Sequence, residues 1–166
     1  MELTVLERQQ FTLSEFPAEE LLSDAAETIR PNAEKVSITL TVVAEPACLW
    51  VEQDLFKSMA LNLLDNAIKS GGDSVALTGG RAGGDYLIQV KDNGCGIPQN
   101  EIERVTEAFY MVDKSRSRSQ HGAGIGLTLV ARVVTLFHGR LEIKSELGEG
   151  TTVTVRLPLR EEEKHE

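Results

Sequence analysis

No apolar run in this sequence approaches the roughly 18 residues of a membrane span, and no signal peptide opens it. As it stands, the chain is expected to be soluble. Cysteine is nearly absent. Cys48 and Cys95 form neither a metal-spacing motif nor a disulfide framework, so a reducing, cytoplasmic setting is the default. Positive charge is in deficit, with 17 Lys and Arg against 26 Asp and Glu for a net charge of −9. Nothing on such a surface offsets phosphate repulsion along a polyanion, which argues against nucleic-acid binding. Internal repeats and low-complexity tracts are missing. So is any G-x-x-x-x-G-K-[ST] motif, which excludes a P-loop.

What is present fits one domain. A chain of 166 residues, 41% hydrophobic and 26% charged, has an ordinary globular composition and length enough to bury a core. Glu52 to Ser70 reads as an amphipathic helix. Leu55, Met59, Leu63 and Ala67 recur at helical spacing, widened by Phe56, Leu61, Leu64 and Ile68. Against that pattern stand two amides, Asn62 and Asn66, four residues apart and so on one face, with Lys69 pointing nearly the same way. An amide oxygen suits a hard cation, and an ammonium suits phosphate. Taken alone, these residues read better as a solvated polar stripe, and it is two later stretches that reverse the balance.

Around that helix the pattern alternates. Met1–Gln10 reads as the tail of a helix or a linker, and Phe11-Thr12-Leu13 as a short strand. A helix starts at Ser14 or Pro17 and is closed or interrupted by Pro31. Val36–Val43 and Cys48–Val51 are strands. Val75–Thr78 and Tyr86–Val90 form a hairpin across the loop Gly79–Gly84. Gln99–Glu107 is a short polar helix, and Phe109–Gly126 a long loop carrying Lys114, Arg116 and Arg118. Ile125–Phe137 is an apolar helix. Leu141–Lys144 and Thr152–Leu157 make a last hairpin around Gly148–Gly150, and Glu161–Glu166 is a charged tail. The sum is a two-layer α+β sandwich: a mixed, mostly antiparallel sheet covered on one face by about three helices.

Two glycine-rich stretches carry the chemistry. In DNGCGIP, Asp92–Pro98, a carboxylate at a strand end can accept a hydrogen bond from an exocyclic amine such as N6 of adenine. Gly94 and Gly96 let a flat ring approach the backbone. In GAGIGL, Gly122–Leu127, free N–H groups at a helix entrance make an anion site.

In this order and spacing, the pieces resemble the Bergerat-fold (GHKL) ATPases, and within them the catalytic domain of bacterial sensor histidine kinases. LNLLDNAIKS resembles that family's N box, DNGCGIP its first glycine box, FYMVDKSRS its F box, GAGIGL its second glycine box, and GEGTTVTVRLP its closing hairpin. The resemblance spans about Phe11 to Leu159. It implies ATP and Mg²⁺ as cofactors, with Asn66 on the metal and Asn62 and Lys69 on the phosphates or the metal's waters. It implies Asp92 on adenine, aided by Thr151 through a water, with Gly94, Gly96, Ile97 and Leu127 around the nucleotide. Phe109 to Gln120 becomes a lid bringing Lys114, Arg116 or Arg118 to the triphosphate, with His121 beside it. Gly122, Gly124 and Gly126 cradle phosphate. Asn62, Lys69 and Arg116 are the expected catalytic contacts.

One departure within the superfamily is informative. Hydrolysing members and the small serine kinases that restrain sigma factors carry Glu four residues before the metal Asn. Here that position is Asn62, and an amide cannot take a proton. The resemblance therefore implies a domain that holds ATP and donates its γ-phosphate to a histidine on a separate dimerisation domain, from which a response regulator receives it. None of His121, His138 and His165 has the context of that acceptor. The expected organisation is residues 1–10 as the end of a dimerisation helix, 11–160 as the catalytic domain and 161–166 as a tail. The parent is expected to be a homodimer anchored in the inner membrane, and this piece a monomer. A self-contained serine kinase and a non-catalytic ATP-binding module are the alternatives. Cys95 is expected as a small buried filler beside adenine.

Overall fold

A computed structural model of the chain describes residues 12–98 and 122–159. Among them are ten elements in chain order: β1 (Ser14–Pro17), α1 (Ala18–Lys35), β2 (Thr39–Ala44), β3 (Cys48–Val51), α2 (Gln53–Ile68), β4 (Ser74–Ala82), β5 (Asp85–Asp92), α3 (Gly122–Leu136), β6 (Arg140–Glu146) and β7 (Gly150–Pro158). Five strands form one sheet in the order β2-β4-β5-β7-β6, in which only the β2–β4 pair is parallel. β1 and β3 form a separate antiparallel pair. The three helices cover one face, α2 in the middle between α1 and α3 and over β4 and β5. The expected two-layer α+β sandwich is what forms.

The layers are held by alternation. Val75 and Leu77 of β4, Tyr86, Ile88 and Val90 of β5, and Val153, Val155 and Leu157 of β7 point to the helices and are buried. Residues between them face the other side, as a two-residue period requires. From α2 the side chains Phe56, Met59, Leu63, Leu64 and Ile68 enter the same core. Each such burial contributes about 1.5–3 kcal/mol before entropy is counted. α2 begins where Glu52 accepts the Leu55 N–H at 2.8 Å, capping a donor the helix cannot satisfy itself.

Several boundaries differ from expectation. The first strand is Ser14–Pro17, pairing with Cys48–Val51, so the expected strand at residues 11–13 is displaced and the helix starts after Pro17. α1 runs through Pro31 to Lys35. Pro31 is solvent-exposed and the helix bond it cannot make is to the carbonyl of the exposed Glu27, which solvent can reach. The strand expected from Val36 starts at Thr39, because residues 36–38 are spent on a helix cap. Ser37 takes the left-handed φ of 61°, and the Ser37 and Ile38 N–H groups bond back to the Glu34 and Ala33 carbonyls at 3.1 and 2.9 Å. α3 ends the same way, with His138 in the left-handed seat at φ 64° and Gly139 N–H on the Val134 carbonyl at 2.9 Å. His138 is thus a helix-capping residue.

The hairpin loop expected over Gly79–Gly84 is nearly all strand. β4 continues to Ala82 and the reversal is confined to Gly83 and Gly84. Gly79 belongs inside the sheet because the phenol of Tyr86 lies where a Cβ would stand, and Tyr86 donates from its hydroxyl to the Glu45 carbonyl at 2.7 Å. The helix expected over Gln99–Glu107 and the basic loop that follows lie outside the described residues.

Candidate functional site

Four segments converge where β5 ends: the C-terminus of α2, the loop after Asp92, and the facing ends of β6 and β7. Asp92 closes β5 pointing to the helix side, 7% exposed, with its Oδ1 accepting the Gly94 N–H at 2.8 Å. Among the described residues no cation pairs with it. Its cross-strand partner on β7 is Thr151, also buried. A carboxylate and a hydroxyl side by side, walled by strands, can read a donor and an adjacent polar atom on the edge of one flat base.

The glycine loop is stitched on both sides. Toward α2, the Cys95 N–H donates to the Ser70 carbonyl at 3.0 Å, and Gly94 packs so tightly on Ser70 that a Cβ has no room. Asn93 ties the loop to the start of β4. Its Oδ1 accepts from the Asp73 and Ser74 N–H groups at 2.9 and 3.0 Å, and its Nδ2 donates to Asp73 Oδ1 at 2.6 Å. Toward β6 and β7, Gly148 N–H reaches the Cys95 carbonyl at 2.8 Å, and Ile97 N–H reaches Ser145 Oγ at 2.7 Å. Gly96 holds a φ of +82° with the Glu146 carbonyl against the space of a Cβ, so both its conformation and its surroundings demand glycine. Cys95 is exposed, which corrects the expectation of a buried filler: its backbone is used and its thiol turns outward.

One helical turn before Ser70, α2 brings its amides to the same end. Asn66 is partly buried, and its Nδ2 is shielded from solvent with no hydrogen-bond partner among the described residues. An unpaired buried amide nitrogen costs about 1–3 kcal/mol, which a helix tolerates where a ligand completes the pair. Asn62 lies one turn earlier, its Nδ2 donating to the Ser58 carbonyl at 2.8 Å. Lys69 is exposed and ion-pairs with Asp65 at 3.0 Å. The residue pattern did not single out this contact.

Gly122, Gly124, Gly126 and Leu127 lie in the first turns of α3, so this glycine stretch is helix from Gly122 onward rather than a loop ahead of Ile125. The tight cap at residues 137–139 reverses the chain, and β6 returns along α3 toward Ser145 and the site. Phe109, Lys114, Arg116, Arg118 and His121 lie outside the described residues. Ser70, Asn93 and Ser145 were missed by sequence reasoning. Short polar residues one register away from a motif carry no signal until the strand pairing is known.

A buried carboxylate, a glycine loop with no slack and an amide-bearing helix at one end of a two-layer sandwich make the architecture of a nucleotide-binding domain. The profile of the family described as "Histidine kinase-, DNA gyrase B-, and HSP90-like ATPase" matches residues 51–161. The chain belongs to that family, and it is an ATP-binding domain of the sensor histidine kinase type. It is 34% identical over 157 residues to the sensor histidine kinase YclK of Bacillus subtilis, covering 91% of this chain and 33% of that protein. It therefore spans about a third of that curated relative's length. Among solved structures, the mycobacterial sensor histidine kinase MprB superposes with a TM-score of 0.74 at 26% identity, over 89% of this chain and 98% of that one. Full-length ShkA, solved with AMPPNP, superposes with a TM-score of 0.75 at 26% identity, over 91% of this chain and 32% of that one.

Proposed function

We propose that this domain binds Mg-ATP in the site just described and donates the γ-phosphate to a histidine on a separate dimerisation domain of its parent protein. The observation that carries the reading is Asp92: a carboxylate buried beside Thr151 with one backbone N–H and, among the described residues, no cation, which leaves it able to accept from the exocyclic amine of adenine. Gly94, Gly96 and Ile97 form the wall against which the ring lies. Gly122, Gly124, Gly126 and Leu127, at the start of α3, bring backbone N–H groups to the phosphates.

The residues present fit a hydrated cation. Asn66 offers an amide oxygen to the metal and an unpartnered Nδ2 to a phosphate oxygen, and Asn62 and Lys69 stand beside it. Mg²⁺ bound there would neutralise charge on the phosphates. The parts given to Phe109, Lys114, Arg116, Arg118 and His121, closing over ATP and spreading the γ-phosphate's charge, rest on the resemblance of the sequence. With Asn62 where related hydrolases carry Glu, this chain supplies no base at that position, and nucleophile and base belong to the dimerisation domain. Residues 1–10 are read as the end of that domain's helix, 11–160 as the catalytic unit and 161–166 as a tail. The phosphate then passes to a response regulator. The parent is read as a homodimer held at the inner membrane with this domain on the cytoplasmic side. No described helix is long and apolar enough to cross a membrane.

The test is calorimetric titration of the chain with ATP, ADP and GTP, with and without Mg²⁺. Adenine-selective binding that Asn66→Ala weakens only with Mg²⁺ present is the expected result, together with almost no radiolabel on the isolated chain. No binding of any nucleotide would overturn the reading, and stable labelling of the chain alone would overturn the division of labour.

A further inference from the structure

Ser145 sits at the crossing of two structures that the adenine site depends on, and its hydroxyl is fully committed. It accepts the Ile97 N–H at 2.7 Å, which fixes the far end of the glycine loop. It lies 3.0 Å from the Gly150 carbonyl and 2.8 Å from Thr151 Oγ1. Ser145 and Thr151 are register partners across β6 and β7, and Thr151 is in turn the partner of Asp92 across β7 and β5. A row of three polar side chains thus crosses the sheet, Asp92, Thr151, Ser145, on the face that meets the helices.

Proton counting gives the row a consequence. A serine hydroxyl has one proton, and here two acceptors compete for it. If the proton goes to the Gly150 carbonyl, Thr151 must donate to Ser145, and Thr151 then offers a base only lone pairs. If the proton turns to Thr151, the Thr151 proton is released toward the base. Asp92 cannot make this choice, because a carboxylate accepts from any donor, whether the amine of adenine or the ring N–H of guanine. The discriminating polarity beside it is that of Thr151, and Thr151 is oriented by Ser145.

We propose that Ser145 is a positioning residue for base selection, holding the glycine loop through Ile97 and setting whether Thr151 donates or accepts beside Asp92. It touches no nucleotide itself. The proposal rests on the reading of Asp92 and Thr151 as the adenine site. Nothing about Ser145 in the linear sequence indicates this, since only the strand register aligns it with Thr151.

The test compares the chain with its S145A and S145T variants, titrating each with ATP and with GTP, whose ring N1 carries a proton where that of adenine offers a lone pair. Thermal unfolding midpoints are measured alongside. In S145A, ATP affinity is expected to fall about tenfold, the size of one lost hydrogen bond with its partner left unpaired. GTP should lose much less, so that the preference for ATP shrinks. S145T keeps a hydroxyl at the same place and should restore that preference. Equal losses for both nucleotides, or an unchanged ATP preference in S145A, would overturn the proposal while leaving the nucleotide site standing. An unmutated chain that binds neither compound would overturn the functional reading and the proposal with it. If S145A does not fold, the decision falls to S145T: loss of the ATP preference there, with an unchanged midpoint, overturns the positioning role.

Discussion

Asp92 and Thr151 are register partners across β5 and β7, 7% and 6% exposed, and with Ser145 they form the polar row on the helix side of the sheet where β5 ends. A buried carboxylate with one backbone hydrogen bond is left with acceptor capacity that a bound amine can fill. Asp92 also holds the loop, through Gly94, so the informative change keeps that bond. Asp92→Asn retains an oxygen for the Gly94 N–H but offers adenine a neutral acceptor. We expect the ATP dissociation constant to rise between about 10-fold and 100-fold, the worth of a charge-assisted bond, with the unfolding midpoint nearly unchanged. Calorimetry and a thermal melt on the same sample check it, and unaltered ATP affinity would refute the assignment of Asp92.

Asn66 is expected to destabilise the ligand-free domain, as its proposed role at the metal would explain. Its Nδ2 is buried with no partner among the described residues, and Asn is a poorer helix former than Ala. Asn66→Ala should therefore stabilise the ligand-free domain by about 1 kcal/mol, a rise of about 2–4 °C in Tm for a chain of this size. The same variant should lose the Mg²⁺-dependent part of ATP binding. A falling Tm would show that the amide is already satisfied and is structural.

Much of this architecture is legible in the residues, and the failures have physical causes. α2 was readable end to end because its apolar period and its two amides are local facts. Gly79 and Gly80 read as a loop because glycine disfavours strands, yet the ring of Tyr86, two strand positions away in space, needs the room that Gly79 leaves. Pro31 read as a terminator, but an exposed proline on an otherwise well-packed helix costs one solvent-facing bond while Ile29 and Ala33 stay buried. Ser145 and Asn93 were invisible for a different reason. Ser145 acts on the backbone of the glycine loop and Asn93 on the backbone at the start of β4, and those contacts exist only once the sheet has formed.

Two left-handed glycines separate conformational strain from collision. Gly83, at φ +62°, has nothing near the place of a Cβ, so Gly83→Ala pays only for its backbone, about 1–2 kcal/mol. Gly96, at φ +82°, faces the Glu146 carbonyl as well. Gly96→Ala should cost at least about 3 kcal/mol, or force the loop away from β6 with loss of ATP binding. Denaturant unfolding of the pair orders them. Equal losses would mean that the loop is not held against β6.

Tyr86 makes stability depend on alkaline pH. Its ring is wholly buried, and desolvation, then the charges of Glu19 and Glu45, push its pKa from 10.0 to about 12. Above pH 10 the unfolded chain releases this proton while the folded domain keeps it. The unfolded state then binds fewer protons, so unfolding becomes easier as pH rises. The contribution is fully present below pH 10, declines from there and is spent near pH 12. A shift of this size corresponds to about 2–3 kcal/mol. Tyr86→Phe loses the hydroxyl's bond to the Glu45 carbonyl and should start about 1 kcal/mol less stable at pH 8. Lacking the ionisable group, it should decline less steeply between pH 10 and 12 and overtake the unmodified domain there. Urea unfolding of both proteins across pH 8–12 checks the crossing. Parallel curves would mean that another group governs the alkaline limit.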